Sequence, residues 1–277
     1  NFRVVIDAVN GAGSYALPTL LESLGCETIK INCELNGDFS RGTEPLPKNL
    51  TQLCEEVKNN NADCGFAVDP DADRLAVVNE KGKPLGEEYS LVLAAEGYLN
   101  DTNENEIFVI NLSTSLALEK LAESRGSSVI RSAVGEINVV NKMNELDSKL
   151  GGEGNGGVIL REAHLGRDSL VAATMVLNRM SQSNEPLSKI HRSLPQYEIV
   201  KDKLDLNGIN SDELIEKACL LFEEAEKNTL DGIKFVWDNC WVHLRQSNTE
   251  PIIRIYAEAP NKEQAQDLIQ QIKSCVK

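Results

Sequence analysis

Short apolar runs alternate with stretches of helical periodicity at the start of the chain. Residues 3–6 predict a buried parallel strand, residues 15–24 a helix that ends at Gly25, and residues 28–32 the next strand. A further helix is predicted over residues 49–59, because Leu50, Leu53 and Val57 recur at helical spacing. The order of strand, helix and strand indicates a doubly wound α/β layer.

The same order repeats after a polar stretch at residues 101–105. A strand is predicted at 107–110, a helix at 116–124, and a strand at 128–131. Polar stretches of this kind are typical of domain boundaries. The fold class predicted is therefore α/β, with two successive domains of one architecture.

The pattern changes after Pro195. A strand, a helix over 211–226 capped by Ser211, three strands in succession and a final helix predict a smaller α+β domain. Asp238 and Asn239 predict the turn of a hairpin in this domain. The predicted domains are residues 1–102, 103–194 and 195–277.

Composition and charge exclude several classes of protein. A net charge of −15 over 277 residues disfavours nucleic acid as a partner. No run approaches the ~20 apolar residues of a membrane span, and no signal segment opens the chain, so a cytoplasmic protein without a membrane partner is predicted. Seven scattered cysteines without a C-x-x-C pair predict free, mostly buried thiols. Because a buried strand begins almost at residue 1, we expect the chain to be part of a longer protein.

Three carboxylates, Asp69, Asp71 and Asp73, follow the buried run at residues 64–68. Like charges in one loop repel, so the arrangement favours a hard divalent cation. Mg²⁺ is the cation predicted, since the loop lacks the His or Cys that zinc prefers. Arg74 would balance the acids or bind a phosphate oxygen. A solvated acidic turn or a calcium site without a catalytic role remains the alternative.

Two later loops carry groups suited to a phosphosugar. Residues 151–157 place Glu153 in a glycine-rich turn, where backbone allows close approach and the carboxylate can accept from sugar hydroxyls. Residues 245–251, with Arg254 beyond, combine guanidinium, hydroxyl and amide donors as a phosphate requires. One interpretation of Arg167 and Asp168, just before a predicted helix, is a pair with each other. His243 is predicted to lack a hydroxyl or acidic neighbour.

These motifs resemble those of the alpha-D-phosphohexomutases and occur in the same order along the chain. The acidic loop, residues 69–74, matches their magnesium loop. Residues 152–157 resemble Gly-Glu-x-Ser-Gly-His, and residues 245–251 match Arg-x-Ser-Gly/Asn-Thr-Glu-Pro. Gly157 stands where the family commonly has His. The resemblance implies that Mg²⁺ is bound by the three aspartates with Arg74 in support. It also implies a substrate site, formed by Glu153, Asn155, Arg245, Ser247, Asn248, Thr249 and Arg254.

The resemblance implies a mutase that interconverts hexose 1-phosphate and hexose 6-phosphate through a hexose 1,6-bisphosphate. The family transfers the phosphoryl group from a serine in its first domain, within a segment that contains Ser-His. No Ser-His dipeptide occurs in these 277 residues. The expectation is therefore domains two to four of such an enzyme, inactive without an N-terminal domain. A catalytically silent sugar-phosphate-binding protein is the alternative, and a magnesium-dependent phosphatase is a weaker one.

Overall fold

A computed structural model describes residues 1–102, 105–206, 210–247 and 250–276. These residues form three sheets that follow one another along the chain, each covered by helices. The first two sheets are built alike and the third is antiparallel, so the predicted fold class is confirmed. Across the described residues, no helix combines the length and the apolar character needed to span a bilayer.

The first sheet has the strand order β2-β1-β3-β4, with β4 antiparallel to β3 and the other pairs parallel. All residues of β3 and β4 are buried, which explains why every one of them except Asn79 is apolar or glycine. The elements are β1 (Arg3–Asp7), α1 (Gly13–Ser23), β2 (Glu27–Ile31), a short 3-10 turn (Pro47–Asn49), α2 (Thr51–Asn59), β3 (Cys64–Val68) and β4 (Leu75–Asn79).

The second sheet repeats this topology in the order β6-β5-β7-β8, again with an antiparallel last strand. Its elements are α3 (Tyr89–Thr102), β5 (Ile107–Asn111), α4 (Leu116–Ser124), β6 (Ser128–Ser132), α5 (Glu136–Leu146), β7 (Leu150–Glu153), β8 (Gly157–Leu160), α6 (Ser169–Ser181) and α7 (Leu187–Ser193). Helices α3 and α6 pack against each other, and α6 also contacts α1 and β4 of the first unit. One apolar core therefore runs through both units.

The third sheet has the order β10-β11-β12-β13-β9 and its own apolar core. Its elements are β9 (Glu198–Asp205), α8 (Ser211–Leu221), β10 (Glu226–Asn228), β11 (Ile233–Trp237), β12 (Cys240–Gln246), β13 (Ile252–Ala259) and α9 (Lys262–Ser274). Trp237 pairs with Cys240 across the predicted Asp238–Asn239 turn, so that hairpin is confirmed. The boundaries at residues 102 and 194 stay predictions.

Three details of the sequence reading are wrong. Helix α8 ends at Leu221 instead of 226, because the short edge strand β10 begins at Glu226. Its cap is Asn210, whose side chain accepts from the backbone N–H of Asp212. The thiols are free, but among the seven only Cys64 is buried.

Candidate functional site

The acidic loop joins β3 to β4 at the carboxyl end of the parallel strands. Asp69 is buried, Asp73 is half-buried and Asp71 is exposed. One carboxylate oxygen from each lies within 4.8 Å of the other two. The structure thus brings the three predicted ligands together in an arrangement that one cation could bridge.

Hydrogen bonds distinguish the two less exposed carboxylates. Asp69 accepts from the backbone N–H groups of Asp73 and Arg74 and, at 2.6 Å, from Arg74 Nε. Burial alone would raise the pKa of Asp69, but its interactions with the Asp73 side chain and with Arg74 lower it. Burial and the neighbouring Asp69 raise the pKa of Asp73 to about 7.

A hard cation fits this donor set. Among the described residues, Asp73 Oδ1 is buried without a hydrogen-bond partner, and it lies 3.5 Å from Arg74 Nε. Mg²⁺ and Ca²⁺ take oxygen ligands, so they suit a group of three carboxylates. One of these carboxylates has a buried oxygen that a cation would satisfy. The residues present therefore fit the metal that the loop predicts.

Backbone contacts fix the acidic loop against its neighbours. Ala12 N–H donates to Pro70 O at 2.8 Å, and Ser169 donates to Ala72 O through its N–H and its hydroxyl. Leu75 N–H donates to Gly156 O at 2.9 Å, which joins the acidic loop to the glycine-rich loop. Two loops separated by about 80 residues in sequence are thereby held in one place.

Glu153 ends β7 and is buried beside its polar partners. Its Oε1 accepts from Asn111 Nδ2 at 2.7 Å and from Gly135 N–H at 3.0 Å. Its Oε2 accepts from Arg167 Nη1 at 2.6 Å. The carboxylate is held in one orientation at the edge of the cavity described below.

The two predicted phosphate-binding arginines are register partners on β12 and β13. Arg245 lies opposite Arg254, and its Nη1 is 3.6 Å from Asp231 Oδ2. Ser247 N–H donates to Ile252 O, which closes the start of the loop. Asn248 and Thr249, the other predicted members of this loop, lie outside the described residues.

One cavity of about 390 Å³ is lined by residues from all three units of the fold. Five residues predicted for the site line it: Arg74, Glu153, Asn155, Arg245 and Arg254. Gly154 of the predicted glycine-rich turn also lines the cavity. So do residues that were not predicted for the site: Glu44, Leu46, Glu87, Glu88, Asn111, Ser113, Val134, Gly135, Lys201 and Tyr256. Residues far apart in sequence therefore face one common space.

Arg167 is the main site residue that the sequence reading assigned wrongly. It does not pair with Asp168, whose carboxylate caps α6 and contacts His164 Nε2 at 2.9 Å. Its guanidinium instead forms ion pairs with Asp73, Glu153 and Glu136. Only the Arg-Asp segment just before α6 could have indicated this position.

Two further groups were missed or misread. Glu88 is buried in the cavity wall and accepts from Ser115 N–H at 2.9 Å, and burial raises its pKa to about 8. His243 does have a hydroxyl neighbour, since Ser113 Oγ lies 3.0 Å from its Nδ1. Both contacts join segments distant in sequence, which local patterns do not reveal.

Comparisons with known proteins cover nearly the whole chain. Three models of phosphoglucomutase/phosphomannomutase domains match it: alpha/beta/alpha domain II at residues 1–82, alpha/beta/alpha domain III at 86–197, and the C-terminal domain at 201–274. A phosphoglucomutase/phosphomannomutase of Thermococcus kodakarensis is 36% identical over 269 residues. A probable phosphoglucosamine mutase of Methanopyrus kandleri is 32% identical over 269 residues.

The chain is shorter than these relatives. The match covers 96% of this chain but 59% of each of the two relatives. A crystal structure of a phosphoglucomutase/phosphomannomutase family protein from Burkholderia thailandensis has a TM-score of 0.86 and 26% identity. That match covers 99% of this chain and 60% of the solved one.

Proposed function

The chain belongs to the phosphoglucomutase/phosphomannomutase family, and from that premise we propose that it holds a hexose phosphate during mutase turnover. The reaction interconverts hexose 1-phosphate and hexose 6-phosphate through a hexose 1,6-bisphosphate. The observation that carries the proposal is the single cavity lined by Arg74, Glu153, Arg245 and Arg254. The cavity places arginine side chains at separate points around the Glu153 carboxylate, which is proposed to bind the sugar. A ligand with two phosphate positions requires such an arrangement.

The acidic loop supplies the metal site. Asp69, Asp71 and Asp73 would hold Mg²⁺, and a cation there would give the buried Asp73 Oδ1 a partner. When bound, the cation neutralises charge that develops on a transferred phosphoryl group. Arg74 keeps Asp69 ionised and presents its guanidinium to the cavity.

The other two loops orient the substrate. Glu153 accepts hydrogen bonds from sugar hydroxyls, and Asn155 lies beside it on the same wall. Arg245 and Arg254 bind the phosphate that does not react, together with Ser247 and with Asn248 and Thr249 beyond the described residues. The Arg245 pair with Asp231 is partly exposed and loose, so a phosphate can replace it.

Phosphoryl transfer needs a serine that these residues do not identify. No Ser-His dipeptide occurs among them. Asp69 is also no substitute as the nucleophile, because the side chain beside it is Arg74, which cannot act as a base. We therefore place the phosphoserine in a segment outside the 277 residues. The same observation favours a second candidate, a silent sugar-phosphate-binding protein.

A coupled assay of glucose 1-phosphate conversion to glucose 6-phosphate separates the two candidates. The chain alone should bind glucose 1,6-bisphosphate without turnover, because it lacks the phosphoryl donor. A fusion to a family first domain that carries the phosphoserine segment should turn over in the presence of Mg²⁺, with mannose and glucosamine phosphates tested in parallel. Turnover by the chain alone would refute the need for a serine outside it. A folded fusion that binds the bisphosphate but is inactive on every sugar would favour the binding protein.

A further inference from the structure

Arg167 contacts two carboxylates of the proposed site from the two ends of one guanidinium. Nη1 donates to Glu153 Oε2 at 2.6 Å, and Nη2 forms an ion pair with Asp73. Within the part of the chain that the structure describes, Nε is buried without a hydrogen bond, 3.4 Å from Glu136 Oε2. The guanidinium therefore lies between Asp73, a proposed metal ligand, and Glu153, the proposed sugar-binding carboxylate.

Backbone hydrogen bonds hold Arg167 in this position, and Gly157 leaves the space that its side chain occupies. Its N–H donates to Glu136 Oε1 at 3.0 Å, and the next residue, Asp168, donates its N–H to Val158 O and caps α6. The stem of Arg167 runs across Gly157, where a Cβ would lie 2.3 Å from Arg167 Cδ. A side chain at position 157 and the observed Arg167 conformation exclude each other.

Asp73 is therefore shared between Arg167 and a cation bound at the acidic loop. Its Oδ2 forms the Arg167 ion pair while its Oδ1 would face a cation, so the guanidinium repels that cation and draws the charge of Asp73 away from it. The strength of the ion pair between Arg167 and Asp73 depends on how far the guanidinium charge is already neutralised by Glu153. The metal site and the sugar-binding carboxylate are thus joined through one side chain.

We propose that Arg167 is a positioning residue that couples cation binding at Asp69, Asp71 and Asp73 to the charge on Glu153. The proposal rests on the metal and sugar roles given above. It makes two predictions of opposite sign. Arg167→Met should tighten Mg²⁺ binding by about fivefold or more, because a competing positive charge is removed. Glu153→Gln should weaken it by about fivefold, because the guanidinium then pairs wholly with Asp73.

A double-mutant cycle tests the coupling without an activity assay. Mg²⁺ affinity is measured by calorimetry at pH 8 and constant ionic strength for the 277-residue chain, the two single variants and the double variant. In the Arg167→Met background, Glu153→Gln should change Mg²⁺ affinity by less than about twofold. Arg161→Met is the matched control, since Arg161 bonds to Ser148 O and Met143 O, away from the acidic loop. It should leave Mg²⁺ affinity unchanged.

Two results would overturn the inference: an equal Glu153→Gln effect in both backgrounds, or weaker Mg²⁺ binding by a folded Arg167→Met chain. Should that variant unfold, Arg167→Gln replaces it in the cycle. A glutamine keeps polar groups beside Asp73 and Glu153 but removes the positive charge, so the Glu153→Gln effect should again fall below about twofold. Failure of the unaltered chain to bind Mg²⁺ would instead refute the metal assignment itself, which distinguishes the two failures.

Discussion

Glu88→Gln should stabilise the protein increasingly as the pH rises. Glu88 lies just before α3, is buried, and accepts from Ser115 N–H at 2.9 Å. Burial raises its pKa from 4.5 to about 8, and attraction to Lys201 offsets only part of that effect. Glutamine has nearly the same shape and keeps an acceptor for Ser115, but it carries no charge to bury.

The sign follows from proton binding. The folded protein holds the Glu88 proton more tightly than the unfolded chain does, so this group favours folding most below pH 4.5. That contribution to the free energy of unfolding is lost as the pH rises toward about 8. The full difference corresponds to ~5 kcal/mol, of which ~3 kcal/mol falls between pH 5.5 and 8.

Urea unfolding followed by far-UV circular dichroism at pH 5.5, 7 and 8 measures the effect. The free energy of unfolding of Glu88→Gln should exceed that of the unaltered chain by a margin that grows by ~3 kcal/mol over this range. Glu87→Gln is the control, because Glu87 is more exposed and pairs with Lys201 at 3.5 Å. It should give no such gain. Parallel pH profiles for the unaltered chain and Glu88→Gln would refute the reasoning.

Three further predictions concern the loops of the site. Asp71→Asn should abolish tight Mg²⁺ binding without loss of helical signal, since Asp71 is exposed and outside the core; unchanged affinity in a calorimetric titration would contradict the metal site. Arg245→Ala should weaken hexose phosphate binding about tenfold or more but hardly affect a neutral hexose, because a charge-assisted bond is worth ~1.5–3 kcal/mol. Equal losses for both ligands would indicate a structural arginine. Gly156→Ala should lower the free energy of unfolding by ~1–3 kcal/mol, because φ is 92° and the new Cβ would lie 2.4 Å from Leu75 O; an unaltered urea midpoint would count against this.

The acidic loop could be predicted because all of its chemistry lies in six consecutive residues. Asp69, Asp71 and Asp73 converge through the geometry of one turn, and the buried run before them fixes where the turn occurs. The same applies to the Asp238–Asn239 hairpin, whose register is set by its two turn residues. Local patterns therefore sufficed for these features.

Arg167 and Glu88 could not be assigned from the sequence, because their partners are distant along the chain. Arg167 meets Asp73 across 94 positions, and the nearer Asp168 is taken up by the cap of α6. Glu88 is charged and directly precedes helix α3, so in sequence it resembles a residue exposed at the start of a helix. It becomes buried only where the second and third units close over it.

The short strand β10 was missed for a related reason. Residues Glu226–Asn228 contain two charged side chains and continue the polar pattern of α8. Pairing with β11 makes them a strand, and an edge position leaves their side chains in solvent. Tertiary pairing here outweighs local propensity.

A crystal structure of the chain with Mg²⁺ and glucose 1,6-bisphosphate would test the central claim most directly. The account predicts the cation between Asp69, Asp71 and Asp73, the sugar against Glu153, and one phosphate on Arg245 and Arg254. A second cavity of about 700 Å³, lined by Tyr89, His191 and Tyr197 among others, lies beside the first. A bisphosphate bound there, or with neither phosphate on an arginine of the site, would contradict the account.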